Sequence, residues 1–295
     1  MKLARSMLRQ QFLQETGSAV FGLDTSAWET IDTISNAIRL GIFNPDPIES
    51  TILSHHGEIF TLEDENEAGN PFDRWQAGSI AIIPLSGIML KETYWWGYGM
   101  DDVARIISLA WQSDQISGVI IKANTPGGST DSLYHLQEVL SDKLKPAFGY
   151  VDGMCASCGY IALSYTDKLY AINKMVSVGG IGVYARMTVP NKENAFYKTV
   201  EVYPKESKDK NLEVREAIDG NDKPMKEALS KLAVYFQEIV KGNRSGVSDD
   251  TLTGKLYYGY EAEQLGLLDG IRKLSEVIVE VENLTETRKQ FLSTI

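Results

Sequence analysis

From Ser79 onward the chain repeats one local plan, and this repetition most restricts the fold: an apolar run of strand length, a turn of small residues, then a helical pattern. Ile80-Ala81-Ile82-Ile83-Pro84-Leu85 is a buried-strand run that ends at Ser86-Gly87. Met100 to Trp111 follows as a helix with Val103, Ile106, Ile107 and Ala110 on one face. Val119-Ile120-Ile121-Lys122-Ala123 is a second strand, and it runs into Asn124-Thr125-Pro126-Gly127-Gly128-Ser129 ahead of a helix predicted from Asp131 to Leu144. Ala147-Phe148-Gly149-Tyr150-Val151 is a third, and strands resume at Lys168-Leu169-Tyr170-Ala171 and near Val178 to Val183. Strands joined through helices pair in parallel with right-handed crossovers, and such sheets hold their ligands at the carboxyl ends of the strands. The expected class is α/β with a mostly parallel sheet.

The first 75 residues read differently. Helical patterns near Met7 to Thr16 and from Thr25 to Leu40 precede a loop through Pro45, Asp46 and Pro47, and Thr61 to Asp73 has the look of an acidic solvated linker. The expected organisation is therefore a helical N-terminal extension with its linker (1–75), a repeated βα domain (76–280) and a C-terminal tail (281–295). The stretch from Val277 to Ile295 reads as amphipathic, then polar, and as a frayed end rather than a partner-binding helix.

Composition removes some classes of function. Acidic residues outnumber basic ones 40 to 29, a net charge of -11, which argues against nucleic-acid binding. No apolar run reaches the roughly 18 to 20 residues of a membrane-spanning helix. The basic N-terminus meets polar residues before a signal-peptide core can form, so a cytoplasmic protein without a membrane anchor is expected. Cys155 and Cys158 form a Cys-x-x-Cys, but with no second pair and three histidines a zinc site is disfavoured, and a redox pair is a minor reading.

The third turn is Gly153-Met154-Cys155-Ala156-Ser157-Cys158-Gly159-Tyr160, with Ile161-Ala162-Leu163-Ser164 continuing as helix. Strand, tight turn and helix together expose a serine at a helix N-terminus, where backbone N–H groups can stabilise an oxyanion. Ser157 is thus a candidate nucleophile. The same small residues would also let a helix pack closely on a sheet with Ser157 as its cap, and the octapeptide alone leaves both readings open.

Taken together, the Pro126-Gly127-Gly128 turn and Ala156-Ser157-Cys158-Gly159-Tyr160 resemble the protease IV (signal peptide peptidase A) family of serine peptidases, which has the ClpP/crotonase fold. The resemblance runs through Thr166-Asp167-Lys168-Leu169-Tyr170-Ala171, Val178-Gly179-Gly180-Ile181-Gly182-Val183 and Gly254-Lys255-Leu256-Tyr257-Tyr258-Gly259. It closes at Ala262-Glu263-Gln264-Leu265-Gly266-Leu267-Leu268-Asp269. It implies ClpP/crotonase-like βα (ββα) units over about residues 79 to 280, and a Ser-Lys dyad whose lysine lies about fifty residues after the serine. Lys208 stands 51 residues after Ser157 and Lys210 stands 53 after it; Lys208 precedes an aspartate as family members tend to, and Lys205 is a weaker third choice. The oxyanion hole implied by the resemblance uses backbone amides, one from Cys158 and one from Gly127 or Gly128, with Gly128 preferred. The family commonly has glycine where this chain has Cys158.

The implied chemistry is acyl transfer through an acyl-enzyme, with no metal or organic cofactor. The implied partners are a polypeptide substrate and further copies of the chain, with sites near subunit interfaces. Among family members, soluble phage or prophage capsid-assembly proteases acting on scaffold or portal-associated proteins are the most similar in layout. A soluble bacterial signal-peptide or oligopeptide peptidase, a non-catalytic assembly protein of the same fold, and a crotonase-type acyl-CoA enzyme are the alternatives.

Overall fold

The computed structural model describes residues 21–23, 26–39, 51–61, 69–93, 98–185 and 203–294. The helix predicted at Met7 to Thr16, the Pro45 to Pro47 loop and most of the acidic run lie outside these residues. The described strands are β1 (Phe21–Leu23), β2 (Thr51–Ser54), β3 (Ile59–Thr61), β4 (Ser79–Ser86), β5 (Ile116–Thr125), β6 (Gly127–Ser129), β7 (Ala147–Ala156), β8 (Lys168–Ala171), β9 (Ser177–Gly179), β10 (Leu256–Tyr258) and β11 (Gly270–Ile271). The described α-helices are α1 (Ser26–Arg39), α2 (Met100–Gln112), α3 (Tyr134–Ser141), α4 (Cys158–Ser164), α5 (Leu212–Ile218), α6 (Lys223–Asn243), α7 (Gly259–Gln264) and α8 (Leu274–Ser293).

Nine strands form one sheet along the path β10-β9-β7-β5-β4-β2-β3, with β8 and β11 branching from β7. The pairs β4·β5, β5·β7, β7·β8, β7·β9 and β8·β11 are parallel, so the sheet is mostly parallel and the class is α/β as the repeated units require. Alternation along each strand divides two cores. Ala81, Ile83, Leu85, Val119, Ile121 and Val151 face a large core completed by α2, α4 and α6, while Ile80, Ile82, Ile120, Phe148 and Tyr150 face the other way. A strand buried on both faces shows no polar alternation, which is why β4 and β5 read as continuous apolar runs.

That second face is covered by α8. Val277 and Val281, one turn apart, are fully buried against Ile80, Ile120, Phe148 and Tyr170. The reading of Val277 to Ile295 as a frayed end is therefore corrected: Leu274–Ser293 is a 20-residue helix held by the apolar sheet face that would otherwise meet water. The helix predicted from Asp131 to Leu144 is also shorter than expected, a 3₁₀ turn at Thr130–Leu133 leading into α3.

Residues that sequence placed before the repeated domain also join it. The β2–β3 hairpin pairs antiparallel with β4, Leu53 opposite Ile82 and Ser54 opposite Ala81. Phe72 and Trp75 are buried, their rings meeting edge to face at 4.9 Å. Charge content masked this contribution, because the acidic run lies between two short apolar pieces.

Strand β7 is the axis of the arrangement. Its first half, Phe148 to Val151, pairs with β8, and its last three residues, Met154 to Ala156, pair with β9. Between them Gly153 takes φ 136°, and a Cβ there would come within 2.5 Å of the Asn124 side-chain oxygen. That oxygen accepts the Met154 N–H at 3.1 Å, so the close approach needs glycine. The bend carries the end of β7 toward the carboxyl end of β5.

Candidate active site

Ser157 follows β7 directly and precedes α4. Its backbone takes φ 51° and ψ -123°, a conformation that costs a residue with a Cβ of order 1–3 kcal/mol. The sequence promotes this turn with Ala156 before it and Gly159 after it. A Cβ on Gly159 would meet the Thr125 methyl at 2.5 Å, so glycine lets α4 approach the end of β5. Two bonds hold the elbow: the Ser157 N–H donates to the Gly179 carbonyl at 2.8 Å, and the Ile161 N–H donates to the Ser157 carbonyl at 2.9 Å.

The hydroxyl is not spent on the helix. Ser157 stands at the N-cap of α4 without a side-chain capping bond, and its Oγ lies 3.4 Å from the Gly182 carbonyl, a long contact for an O–H donor. The residue is only 2% exposed.

Next to it, the Pro126 turn leaves β5 and forms β6. Thr125 pairs with Cys155 across β5 and β7, which brings the two turns side by side. Within the turn the Gly127 N–H donates to the Thr125 hydroxyl at 3.1 Å, and that hydroxyl donates to the Gly87 carbonyl at 2.6 Å. Of the two glycine amides, Gly127 is thus engaged internally. Gly128 lies so close to Met89 that a Cβ would fall 1.7 Å from the Met89 carbonyl oxygen.

The two cysteines are not in a disulfide and are fully buried. Burial pushes the Cys155 thiol well above its ordinary range, so it is held as a neutral core side chain. Cys158 opens α4, and its Sγ lies 3.6 Å from the Gly128 carbonyl and 3.8 Å from that of Ser129. The thiol therefore sits between α4 and β6.

Lys205, Lys208 and Lys210 are exposed, on a 3₁₀ turn (Lys205–Ser207) and the residues after it, ahead of α5, and among the described residues no hydrogen bond joins any of them to Ser157. The Lys208 carbonyl accepts from Arg215, whose guanidinium lies over the Tyr203 ring at 4.2 Å. The structure brings Ser157, Cys158, Gly127 and Gly128 together, while Lys208 and Lys210 are exposed and make no hydrogen bond to Ser157 among the described residues.

Three participants were missed by sequence reasoning. Thr125 orients the glycine turn, Gly179 anchors the elbow, and the Gly182 carbonyl receives the serine hydroxyl. Thr125, two residues before a glycine amide, carried the signal of a side-chain-to-backbone turn. The two glycines act through backbone atoms, which sequence type does not reveal.

Comparison with known proteins decides the family. The profile of peptidase family S49 matches residues 140–288, half of the chain, including the elbow, β8, β9 and most of α8. The chain belongs to peptidase family S49. Among relatives, this S49 chain is 28% identical over 221 residues to Protease 4 of Haemophilus influenzae, covering 71% of this chain and 35% of that protein. It is 26% identical over 183 residues to a putative protease of Methanocaldococcus jannaschii, covering 59% of this chain and 58% of that one. The S49 chain thus spans from about a third to just over half of these curated relatives. A solved mutant of the 1510-N membrane-bound stomatin-specific protease superposes with a TM-score of 0.44 at 16% identity, over 69% of this chain and 83% of that one. Among the described residues no helix is long and apolar enough to cross a membrane.

Proposed function

We propose that this S49 chain is a serine endopeptidase that works through a Ser157 acyl-enzyme, with a lysine as general base. The observation that carries the reading is the elbow: a serine held in a costly backbone conformation, its hydroxyl released from helix capping, beside a Gly127-Gly128 turn. A merely structural N-cap serine has neither need nor reason for that φ and ψ.

In this reading Ser157 Oγ attacks the scissile carbonyl, and the oxyanion is met by the Gly128 and Cys158 amides. Gly128 is preferred over Gly127 because the Gly127 N–H is held inside its own turn by the Thr125 hydroxyl, whereas the Gly128 N–H points out to the edge of β6 that is not taken by Met89. The lysine takes the serine proton and returns it to the leaving amine, and water then hydrolyses the ester. A lysine can act so only when desolvation keeps its amine neutral near pH 7. Lys208 and Lys210 are exposed in the single chain, so the dyad is completed by assembly, in which a neighbouring copy buries one of them beside Ser157. Lys208 is the first choice.

The substrate is a polypeptide. The sequence resemblance to soluble capsid-assembly proteases makes a scaffold or portal-associated protein of a phage or prophage head the proposed target, in a bacterial cytoplasm.

The test is labelling with a serine-reactive fluorophosphonate, read by intact mass and peptide mapping, across protein concentrations that span assembly. Adduct on Ser157 that rises with assembly and disappears in Lys208→Ala or Lys210→Ala alone is the expected result. Absence of adduct on the assembled wild type would favour a non-catalytic assembly protein of the same fold.

A further inference from the structure

Strand β1 lies antiparallel on β6, with Phe21 opposite Ser129, Gly22 opposite Gly128 and Leu23 opposite Gly127. The pair forms its own two-stranded sheet, apart from the nine-stranded one. The other edge of β6 is taken by Met89, whose N–H donates to the Gly127 carbonyl at 2.8 Å and whose carbonyl accepts the Ser129 N–H at 2.9 Å. Successive residues of a strand turn their amides to opposite edges, so the N–H and C=O of Gly128 face β1. That N–H is the one assigned above to the oxyanion. In this register the residue opposite it, Gly22, brings its own carbonyl to the same N–H. Cys158, the residue after Ser157, touches the Gly128 carbonyl, so this pairing takes place beside the elbow.

We propose that Phe21–Leu23 is a built-in competitor strand. It holds the edge of β6 that the backbone of a polypeptide substrate needs, with the Gly22 carbonyl where the reacting carbonyl would sit, and keeps the site closed until the N-terminal segment is withdrawn. The inference rests on the reading of Ser157 as nucleophile. Adding a strand to an open edge is a general mode of peptide recognition, in which main-chain hydrogen bonds supply the attraction. A tethered strand competes at an effective concentration on the order of millimolar, well above an incoming substrate. Three paired residues and no further sheet behind them make a weak latch, since a two-stranded ribbon is marginal by itself. The segment can thus be displaced by a partner that binds it or by assembly that draws it away.

Full-length Gly22→Pro tests this against the wild type with two readouts. Proline removes the N–H that faces the Gly128 carbonyl and breaks the ladder at its central pair. Deuterium uptake at Gly128, and fluorophosphonate labelling of Ser157, are both expected to rise about tenfold or more in the variant, as a competitor-bound fraction is released. Unchanged uptake at Gly128 would overturn the occupancy of this edge. Faster uptake with Ser157 labelled equally in both proteins would overturn the competitor role. No labelling in either, at protein concentrations where the chain is assembled, would instead overturn Ser157 as nucleophile, and the regulatory consequence with it.

Discussion

The Ser157 N–H donates to the Gly179 carbonyl at 2.8 Å, so the geometry of the elbow is set by a strand twenty-two residues downstream. Gly179 takes φ 118°, and a Cβ there would lie 2.8 Å from the Lys255 carbonyl oxygen, a backbone atom that cannot swing aside. Gly179→Ala is expected to cost about 1–3 kcal/mol and to slow Ser157 labelling sharply. Chemical denaturation and labelling rates check the pair of effects; unimpaired labelling would show that the elbow does not depend on β9.

The strain at Ser157 itself predicts an asymmetry between two variants at this position. Ser157→Gly relieves a positive φ that Ser157→Ala keeps, so the glycine variant is expected to be more stable than the alanine variant by about 1 kcal/mol. Thermal melting reads this as a few degrees, and equal melting temperatures would show that the elbow is unstrained.

Asp269 supplies a pH dependence. Burial pushes its carboxyl up, but Arg244 at 2.8 Å, the Leu169 N–H and Lys168 together outweigh burial and hold it below the ordinary carboxylate range. A lowered native pKa stabilises the fold above the unfolded carboxyl value of about 4, and this contribution is lost as pH falls through the native value. Asp269→Asn is therefore expected to be less stable than wild type at pH 7, with the difference shrinking below about pH 4 in denaturation midpoints. A constant difference across that range would contradict the lowered pKa. Arg244→Met, which leaves the carboxylate without its buried partner, is expected to cost about 3 kcal/mol at pH 7.

Helix α8 is tested at Val281, which is fully buried and would meet a Cβ placed on Gly118 at 2.4 Å. Val281→Ala removes two methyl groups from a packed contact and is expected to cost about 1–2 kcal/mol. Truncation before α8 uncovers Ile80, Ile82, Ile120, Phe148 and Tyr150 and should yield aggregated protein. A monodisperse truncated protein of native stability would show that the face is covered in another way.

The amino-acid sequence by itself determined the class of fold and the position of the elbow. Continuous apolar runs such as Ile80 to Leu85 between turn residues fit a strand buried on both faces, and the small residues around Ser157 fit a tight strand-to-helix turn. Both are local requirements, read within a few residues. Tertiary structure decided what depends on backbone groups meeting from distant parts of the chain. The Gly127 N–H met the Thr125 hydroxyl, and the Ser157 hydroxyl came to lie 3.4 Å from the Gly182 carbonyl without capping the helix. The tail became a helix because an apolar sheet face needed Val277 and Val281, and the placement of Lys208 and Lys210 at the surface followed from which elements pack on which. Spacing along the chain can pair a serine with a lysine. Only packing fixes the distance between them.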